Sequence, residues 1–539
     1  MALLVSLVAC APGLLGTWVY DDRSMVENPL FDDFSDVVSV FVRNSADYLG
    51  RGKLVDPETT ATYRPVTMLT LVGTHAFAPR EIAHHAVGWL LHVLTAWLLY
   101  LGLSKRDRPG RVDPVAAWLA GLFLLHPIGV EAYVWINGRS DLVAGFFLAL
   151  LVVLRPGRAR LSIALMAAWL LIGFLGTAAK LPFAIAALFL GLGAWLRQGA
   201  DARRGSHVAL AASLTCGIGL FVLLRMRHTP FADHVGATMG MGAAAFWAPA
   251  PKVAATAVHA LLSLRASAMQ SMAWNAIQPW SLAQATAAFA LLVSVAGLVW
   301  KRDWGGVAYV AGALLTLAPT LFVTQRIWFG FDRYLYMPLI LALLAAEPYV
   351  RRLVARLASR KGFVRLVAIS VLLLAAFNTN MASRAYAGHV EFMQALLDER
   401  PEDPTVHVYV TSMLHVMGDR ENAAEQLRKI PAPPWPKAVI VPQTRFAADL
   451  GNAPLFEKTI AYGKTTYPND PEVMLETMRW DYQHRRLDDL IESAKSFPQD
   501  NAAACVDARD QIREWSKTLE ADEQRRLSNA ADELRCTGG

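Results

Sequence analysis

Charged residues are scarce in this sequence: Asp, Glu, Lys and Arg together make up 18% of its 539 positions, against about 25% in soluble proteins. With 54% of residues hydrophobic, there is too much apolar surface for one aqueous core, which excludes a single water-soluble globule. Cysteine is scarcer still, at four. None stands with histidine at structural zinc spacing, so no zinc module is expected. Cys10 and Cys216 fall in apolar runs and read as small packing residues. Cys505 and Cys536 stand alone together near the end and can pair if that part faces an oxidising compartment. No Asn-x-Ser/Thr sequon occurs. The first apolar run lacks a basic lead, so it reads as a retained helix rather than a cleaved signal. No RNA- or DNA-binding motif accompanies the net positive charge, and nucleic acid is not an expected partner.

What abounds is apolar runs long enough to cross a bilayer, recurring between positions 3 and 377. They predict an all-α polytopic membrane protein with about eleven transmembrane helices. The first is expected at 3–20, the second at 84–103, and further ones flank 126–141 and turn at 177–182. The remainder are expected at 208–224, 282–300, 307–324, before 351–356, and at 364–377. Residues 1–383 carry 32 basic and 19 acidic side chains, a balance of +13; residues 384–539 carry 19 and 26, a balance of −7. The basic clusters occupy every second loop, which by the positive-inside rule makes those loops and the N-terminus cytoplasmic and puts the tail outside. Segments 21–80, 126–141, 177–182, 225–280 and 325–338 then share the other compartment. Almost every unusual polar residue of the membrane portion is in one of them. The first of these loops, 21–80, holds nine of the nineteen acids, and the weakly apolar 230–280 predicts interfacial or re-entrant helices.

The tail, 384–539, has its own rhythm. Gly418, Gly451 and His484 are each 33 residues apart at helix-breaking turns, and PEDP (401–404) and PNDP (468–471) are 67 apart. Helix pairs at a period near 34 make a soluble, tetratricopeptide-like repeat domain, because each pair needs a neighbour to bury its apolar face. A non-repeat helical bundle is the alternative. Removal of everything after 384 is expected to leave the membrane portion folded.

Several groups in the shared compartment could carry chemistry. Tyr20-Asp21-Asp22 lies where the first helix leaves the membrane, and adjacent carboxylates there cost desolvation unless paired or used. As an alternative they are solvated loop acids. The same compartment presents Tyr63-Arg64-Pro65, His84-His85, His126-Pro127, Glu131, Arg139, Asp141, Lys180, Arg326 and Asp332-Arg333-Tyr334. An interfacial arginine taken alone more often snorkels toward head groups.

This order of motifs resembles a known family. YDD, a later YRP, HH ahead of LLH, HPIGVEAYVWINGRSDL (126–142) and DRYLYMP (332–338) are similar to the transmembrane and tetratricopeptide-repeat O-mannosyltransferases and their bacterial relatives in the GT-C glycosyltransferase superfamily. The family usually has Asn where this chain has Gly88, and Lys-Glu where it has Lys180-Leu181. The resemblance implies a GT-C-like transmembrane catalytic portion (1–383) and a tail of repeats outside the membrane (384–539). It also implies a sugar donor carried on polyprenyl phosphate and transfer with inversion to an extracytoplasmic acceptor, a protein Ser/Thr hydroxyl or a glycan, engaged by the repeats. Asp21 or Asp22 matches the family's first-loop acid and is the expected general base. Glu131 and His126 are expected to shape the acceptor side or hold the base. Arg333, Arg139 and Arg64, then Lys180 and Arg326, are candidates for the leaving phosphate. Asp141 and Tyr334 are grouped with them at the substrate.

No cofactor is expected. Asp21, Asp22, Glu131 and His126 are suitable types for an oxygen-rich divalent site, but a metal is not favoured. His84, His85 and His92 read as packing or interfacial residues. Composition leans towards a bacterial inner membrane with a periplasmic tail. Two non-enzyme readings stay open: a lipid-linked sugar transporter, against which stands the lack of internal repeats and midplane charges, and a membrane-anchored repeat scaffold.

Overall fold

The computed structural model describes residues 2–19, 22, 40–41, 63–104, 112–155, 162–198, 204–228, 247–265, 278–318, 321, 332–468, 470–498, 502–534 and 536. Among them there is no strand; the chain is all-helical. In the membrane portion the helices are α1 (Ala2–Leu14), α2 (Pro65–Phe77), α3 (Glu81–Leu103), α4 (Pro114–Leu124), the short α5 (Gly129–Val134) and α6 (Arg139–Val153). They continue as α7 (Ile163–Ala179), α8 (Phe183–Gln198), α9 (Arg204–His228), α10 (Ala250–Ser263), α11 (Leu282–Trp300), α12 (Trp304–Leu315), α13 (Tyr336–Arg356) and α14 (Lys361–Ala385). Five helical stretches are long and apolar enough to cross a membrane: Glu81–Leu103, Ile136–Val153, His207–Met226, Leu282–Trp300 and Ala358–Ala385. The other apolar helices are shorter.

The helix starts follow local chemistry. Asp113 sits before Pro114 and accepts the N–H groups of Val115 and Ala116 at 3.1 Å, while proline fills a position whose N–H would go unpaired anyway. Ser281 and Gln284 form a reciprocal capping box on α11. Environment then sorts the apolar helices. α6 is buried nearly all round and packs against α3, whereas α11 and α14 turn Phe289, Leu292, Phe363, Leu366 and Phe377 outward. Such faces fit hydrocarbon rather than water.

Three expected boundaries are corrected. The first helix stops at Leu14 instead of running to 20, because Thr17 N–H bonds the Ala387 carbonyl at 3.0 Å and pulls the chain onto the far end of α14. Gly16 allows that approach: a Cβ there would lie 2.5 Å from the Ala387 oxygen. The segment read as a polar loop from 21 to 80 contains α2, which buries Leu71 and Val72. In the ninth apolar run α12 ends at Leu315 and a turn follows at Thr316 and Leu317, before Ala318 and Leu321, which are helical again. Gly88 is also explained by packing, since a Cβ there would meet the Tyr133 carbonyl oxygen at 2.6 Å.

The tail continues with α15 (His389–Glu399), α16 (Pro404–Val416), α17 (Arg420–Arg428), α18 (Lys437–Asp449), α19 (Ala453–Thr466), α20 (Pro471–Gln483), α21 (Leu487–Lys495), α22 (Ala502–Ser516) and α23 (Ala521–Glu533). From α16 onward they pack as consecutive pairs. The turns inside the first three pairs hold Gly418 (φ +82), Gly451 (φ +71) and Arg485 (φ +53), the last one residue beyond the His484 of the sequence spacing. Asp403 and Asp470 cap α16 and α20 ahead of proline, as Asp113 does. Cys505 and Cys536 are disulfide-bonded, their Cα atoms 5.6 Å apart, so the last helix pair is stapled. The core does not break at 383. One apolar cluster runs from Cys10 and Leu14 through α3–α8 and on to Tyr386, Phe392, Leu396, Val406, Tyr409 and Met413. The first tail helices are therefore built on the membrane portion, and the expectation that a chain ending at 384 stays folded is not supported by this packing.

Candidate functional site

The motif 126–138 makes a compact plug between α4 and α6. His126 closes α4: its Nδ1 accepts the Ile128 N–H at 3.4 Å, and its Nε2 then donates to the Leu261 carbonyl on α10 at 3.1 Å. Both ring nitrogens are engaged with backbone, so His126 ties α10 to the plug and has neither nitrogen turned to a substrate. α5 follows and carries Glu131, 1% exposed, towards a 3₁₀ turn (Asp332–Leu335) that precedes α13.

Glu131 and Arg333 meet there. Glu131 Oε2 accepts the Arg333 backbone N–H at 3.2 Å, and Oε1 stands 3.7 Å from Arg333 Nε. The guanidinium lies over the Trp135 ring, 3.8 Å from its centroid, and Nη2 donates to the Tyr334 hydroxyl at 3.3 Å. Its Nη1 is buried without a hydrogen-bond partner. Tyr334 also has Lys180 Nζ 4.2 Å above its ring. Lys180 in turn bonds both oxygens of Asp141, at 2.6 and 2.5 Å, in a fully buried pair between the α7–α8 turn and α6. Arg64, heading α2, stands close enough to act electrostatically on Lys180 and Tyr334, and on Arg225 in α9. The stacked rings of Tyr63 and Phe221, with centroids 5.7 Å apart, hold those two segments together.

Across the plug lies a second polar group. Asp22, fully buried, accepts the Ile136 N–H at 3.0 Å and the Val19 N–H at 3.2 Å. It thus fastens the end of the first helical segment to the residue after Trp135. Arg139 interacts with Asp22 electrostatically, gives Nη2 to the His84 carbonyl at 2.7 Å and Nη1 to Thr74 Oγ1 at 3.3 Å. These bonds make Arg139 a tie between α2, α3 and α6.

Of the residues singled out from sequence, Glu131, Asp141, Lys180, Arg333 and Tyr334 thus form one connected cluster with Arg64 beside it. Asp22 and Arg139 flank it, and His126 stands apart. Asp21 and Arg326 lie outside the described residues. His92 is a packing residue, held by the Tyr336 hydroxyl at 2.8 Å and the Leu124 carbonyl at 3.1 Å. No group of three His, Cys, Asp or Glu side chains suited to a metal occurs among the described residues.

Three residues were missed. Trp135 lies inside the motif, yet nothing local marks it as the platform for an arginine 198 positions away. Arg225 ends a long apolar helix, where snorkelling explains it equally well. Tyr386, buried at the end of α14 against Phe392, stands within electrostatic reach of Glu131, Asp332 and Arg333.

Chemically, the cluster offers fixed cations in a water-poor setting, where hydrogen bonds to an anion are strong and no reorganisation is needed. Arginine suits a phosphate through its planar fork of donors. No family model matches the chain, and no solved structure does. Over 145 residues it is 26% identical to a Caenorhabditis elegans protein O-mannosyl-transferase, a stretch that is 26% of this chain and 20% of that relative, so the chain matches about a fifth of the relative's length.

Proposed function

We propose that this protein is a membrane glycosyltransferase of GT-C type. It moves a sugar from a polyprenyl-phosphate donor to an extracytoplasmic hydroxyl, a protein Ser/Thr side chain, with inversion. The observation that carries this reading is the Arg333 guanidinium, propped on Trp135 and Glu131 with Nη1 buried and unpaired beside Lys180. A phosphate oxygen is the ligand such an arrangement fits best. Similarity to a relative named as a protein O-mannosyl-transferase points the same way.

In the reaction the acceptor oxygen attacks the anomeric carbon, the bond from that carbon to the phosphate oxygen breaks, and the carrier leaves as a phosphate monoester. The acceptor proton goes to a carboxylate of the Asp21–Asp22 pair. Each Asp22 oxygen accepts one backbone N–H, so Asp22 also positions the plug. The phosphate gains negative charge as it leaves, which Arg333, with Lys180 and Arg64, stabilises.

In this reading the eleven crossings expected from the apolar runs are made, with the N-terminus in the cytoplasm and the tail in the periplasm of a bacterial cell. The Cys505–Cys536 bond supports an oxidising side for the tail. The later helix pairs are tetratricopeptide-like repeats that receive the acceptor. The positive-inside rule assigns the loops that carry the polar residues to one side of the membrane, which favours an enzyme over a transporter. The test is turnover of polyprenyl-phosphate mannose, and of its glucose analogue, by the full chain in nanodiscs with a periplasmic protein extract. No sugar transfer, together with no binding of either lipid, would sink the proposal.

A further inference from the structure

One polar group has no part in the chemistry above. His84, 1% exposed, has both ring nitrogens buried and without a hydrogen-bond partner. His75 at the end of α2 brings its ring to 5.8 Å from that of His84. Trp18 stands edge-on to His84 at 5.7 Å and to His85 at 6.2 Å, and is itself only partly covered. A buried imidazole with two unmet polar atoms is costly, and such groups are retained where something pairs with them.

We infer that Trp18 and His84, with His75 alongside, form the subsite for the transferred sugar. A neutral imidazole has one donor and one acceptor, the combination that matches a hydroxyl group on each side. An indole offers a broad apolar face for the C–H groups of a pyranose ring, while its neighbours bond the rim. The subsite adjoins the base: the residue after Trp18 is Val19, whose N–H Asp22 accepts, and the His84 carbonyl is bonded by Arg139. Asp22 and the Arg333 cluster meet at the Trp135–Ile136 turn: Asp22 accepts the Ile136 N–H, and the Arg333 guanidinium lies over the ring of the preceding Trp135. This assignment rests on the polyprenyl-phosphate reading and names the part of the donor that reading leaves unassigned.

The experiment compares lipid binding by the full chain in nanodiscs, using polyprenyl-phosphate mannose, polyprenyl-phosphate glucose and bare polyprenyl phosphate. Wild type should prefer at least one glycosylated lipid over the bare one. His84→Phe, which keeps bulk but removes both hydrogen-bonding atoms, should weaken the preferred glycosylated lipid about tenfold and leave bare polyprenyl phosphate unchanged. His84→Asn should recover part of the loss, and Trp18→Ala should resemble His84→Phe. Equal weakening of all three lipids, or no change in any, overturns the sugar subsite while leaving the phosphate site intact. Binding of none of the lipids by wild type overturns the subsite and the donor assignment together.

Discussion

Arg333 gives its backbone N–H to Glu131 Oε2 at 3.2 Å and sets its own Nε 3.7 Å from the other oxygen of that carboxylate. One acid thus holds both the 3₁₀ turn and the side chain that the turn carries. Glu131→Gln keeps the backbone contact and removes the charge, so the guanidinium loses orientation more than position. We expect turnover to fall by about 10²-fold or more with the fold retained. Glu131→Ala leaves a buried arginine uncompensated and should cost stability as well, on the order of 3–5 kcal/mol. Thermal melts beside turnover separate the two, and unimpaired turnover in Glu131→Gln would remove Glu131 from the machinery. Arg333→Ala should lower donor affinity as well as kcat, because the phosphate is charged before reaction begins.

Asp21→Asn and Asp22→Asn divide the roles of the first-loop acids. General-base assistance is worth about 10²–10⁴-fold, so one variant should lose most turnover while still binding donor. Asn at position 22 can still accept the Ile136 N–H, which keeps the plug in place. Full activity in both variants would dismiss the base assignment.

Truncation tests the shared core. Ending the chain at 384 removes Phe392, Leu396, Val406 and Tyr409 from the cluster that includes Leu14 and Tyr133. The truncated protein should aggregate or melt well below the full chain and should fail to bind lipid donor. Ending it at 498 removes the disulfide-stapled pair, which shares an apolar cluster with Met478, Leu490, Ala494 and Phe497 but with none of the membrane portion, and should leave donor binding intact. A stable, donor-binding chain ending at 384 would show the tail to be separable.

Membrane orientation is open to a simple check. Reporter fusions after 108, 204 and 384 should score inside, inside and outside, following the basic loops. An inside score after 384 would be incompatible with a disulfide-stapled tail in an oxidising compartment.

The tail has a pH dependence with a definite sign. Asp403 is 1% exposed, and burial raises its carboxyl from the ordinary value to about 6, against the opposing hydrogen bonds from Thr405 and the charge of Arg400. An acid whose folded value is raised adds stability at low pH that is lost as pH rises, here between about 4 and about 6. His407, lowered by burial, acts in the opposite sense below its usual range, so wild type alone does not isolate the effect. Asp403→Asn keeps the cap and removes the charge. It should be more stable than wild type at pH 7.5 and converge with it near pH 4. A constant offset across that range in paired thermal melts would refute the assignment.

Local physics made much of this protein readable from sequence alone. Apolar runs place the helices because hydrocarbon accepts only backbones paired within themselves. Asp-Pro pairs at 113, 403 and 470 announce helix starts through the cap they form, and Gly418 and Gly451 mark turns that require positive φ. The rest was decided by packing between segments distant in sequence. Glu131 and Arg333 are 202 positions apart, and either could have been an interfacial side chain facing lipid head groups. His126 has the composition of a substrate ligand and became a brace because α10 offered it the Leu261 carbonyl. Gly88 stands where the family this chain resembles has Asn, because the Tyr133 backbone comes too close here for any side chain. Tyr386 and the first tail helices joined the membrane core because α1 stops early and turns its backbone onto Ala387. Such contacts depend on which surfaces meet, a property of the assembled helices that no single stretch of sequence carries.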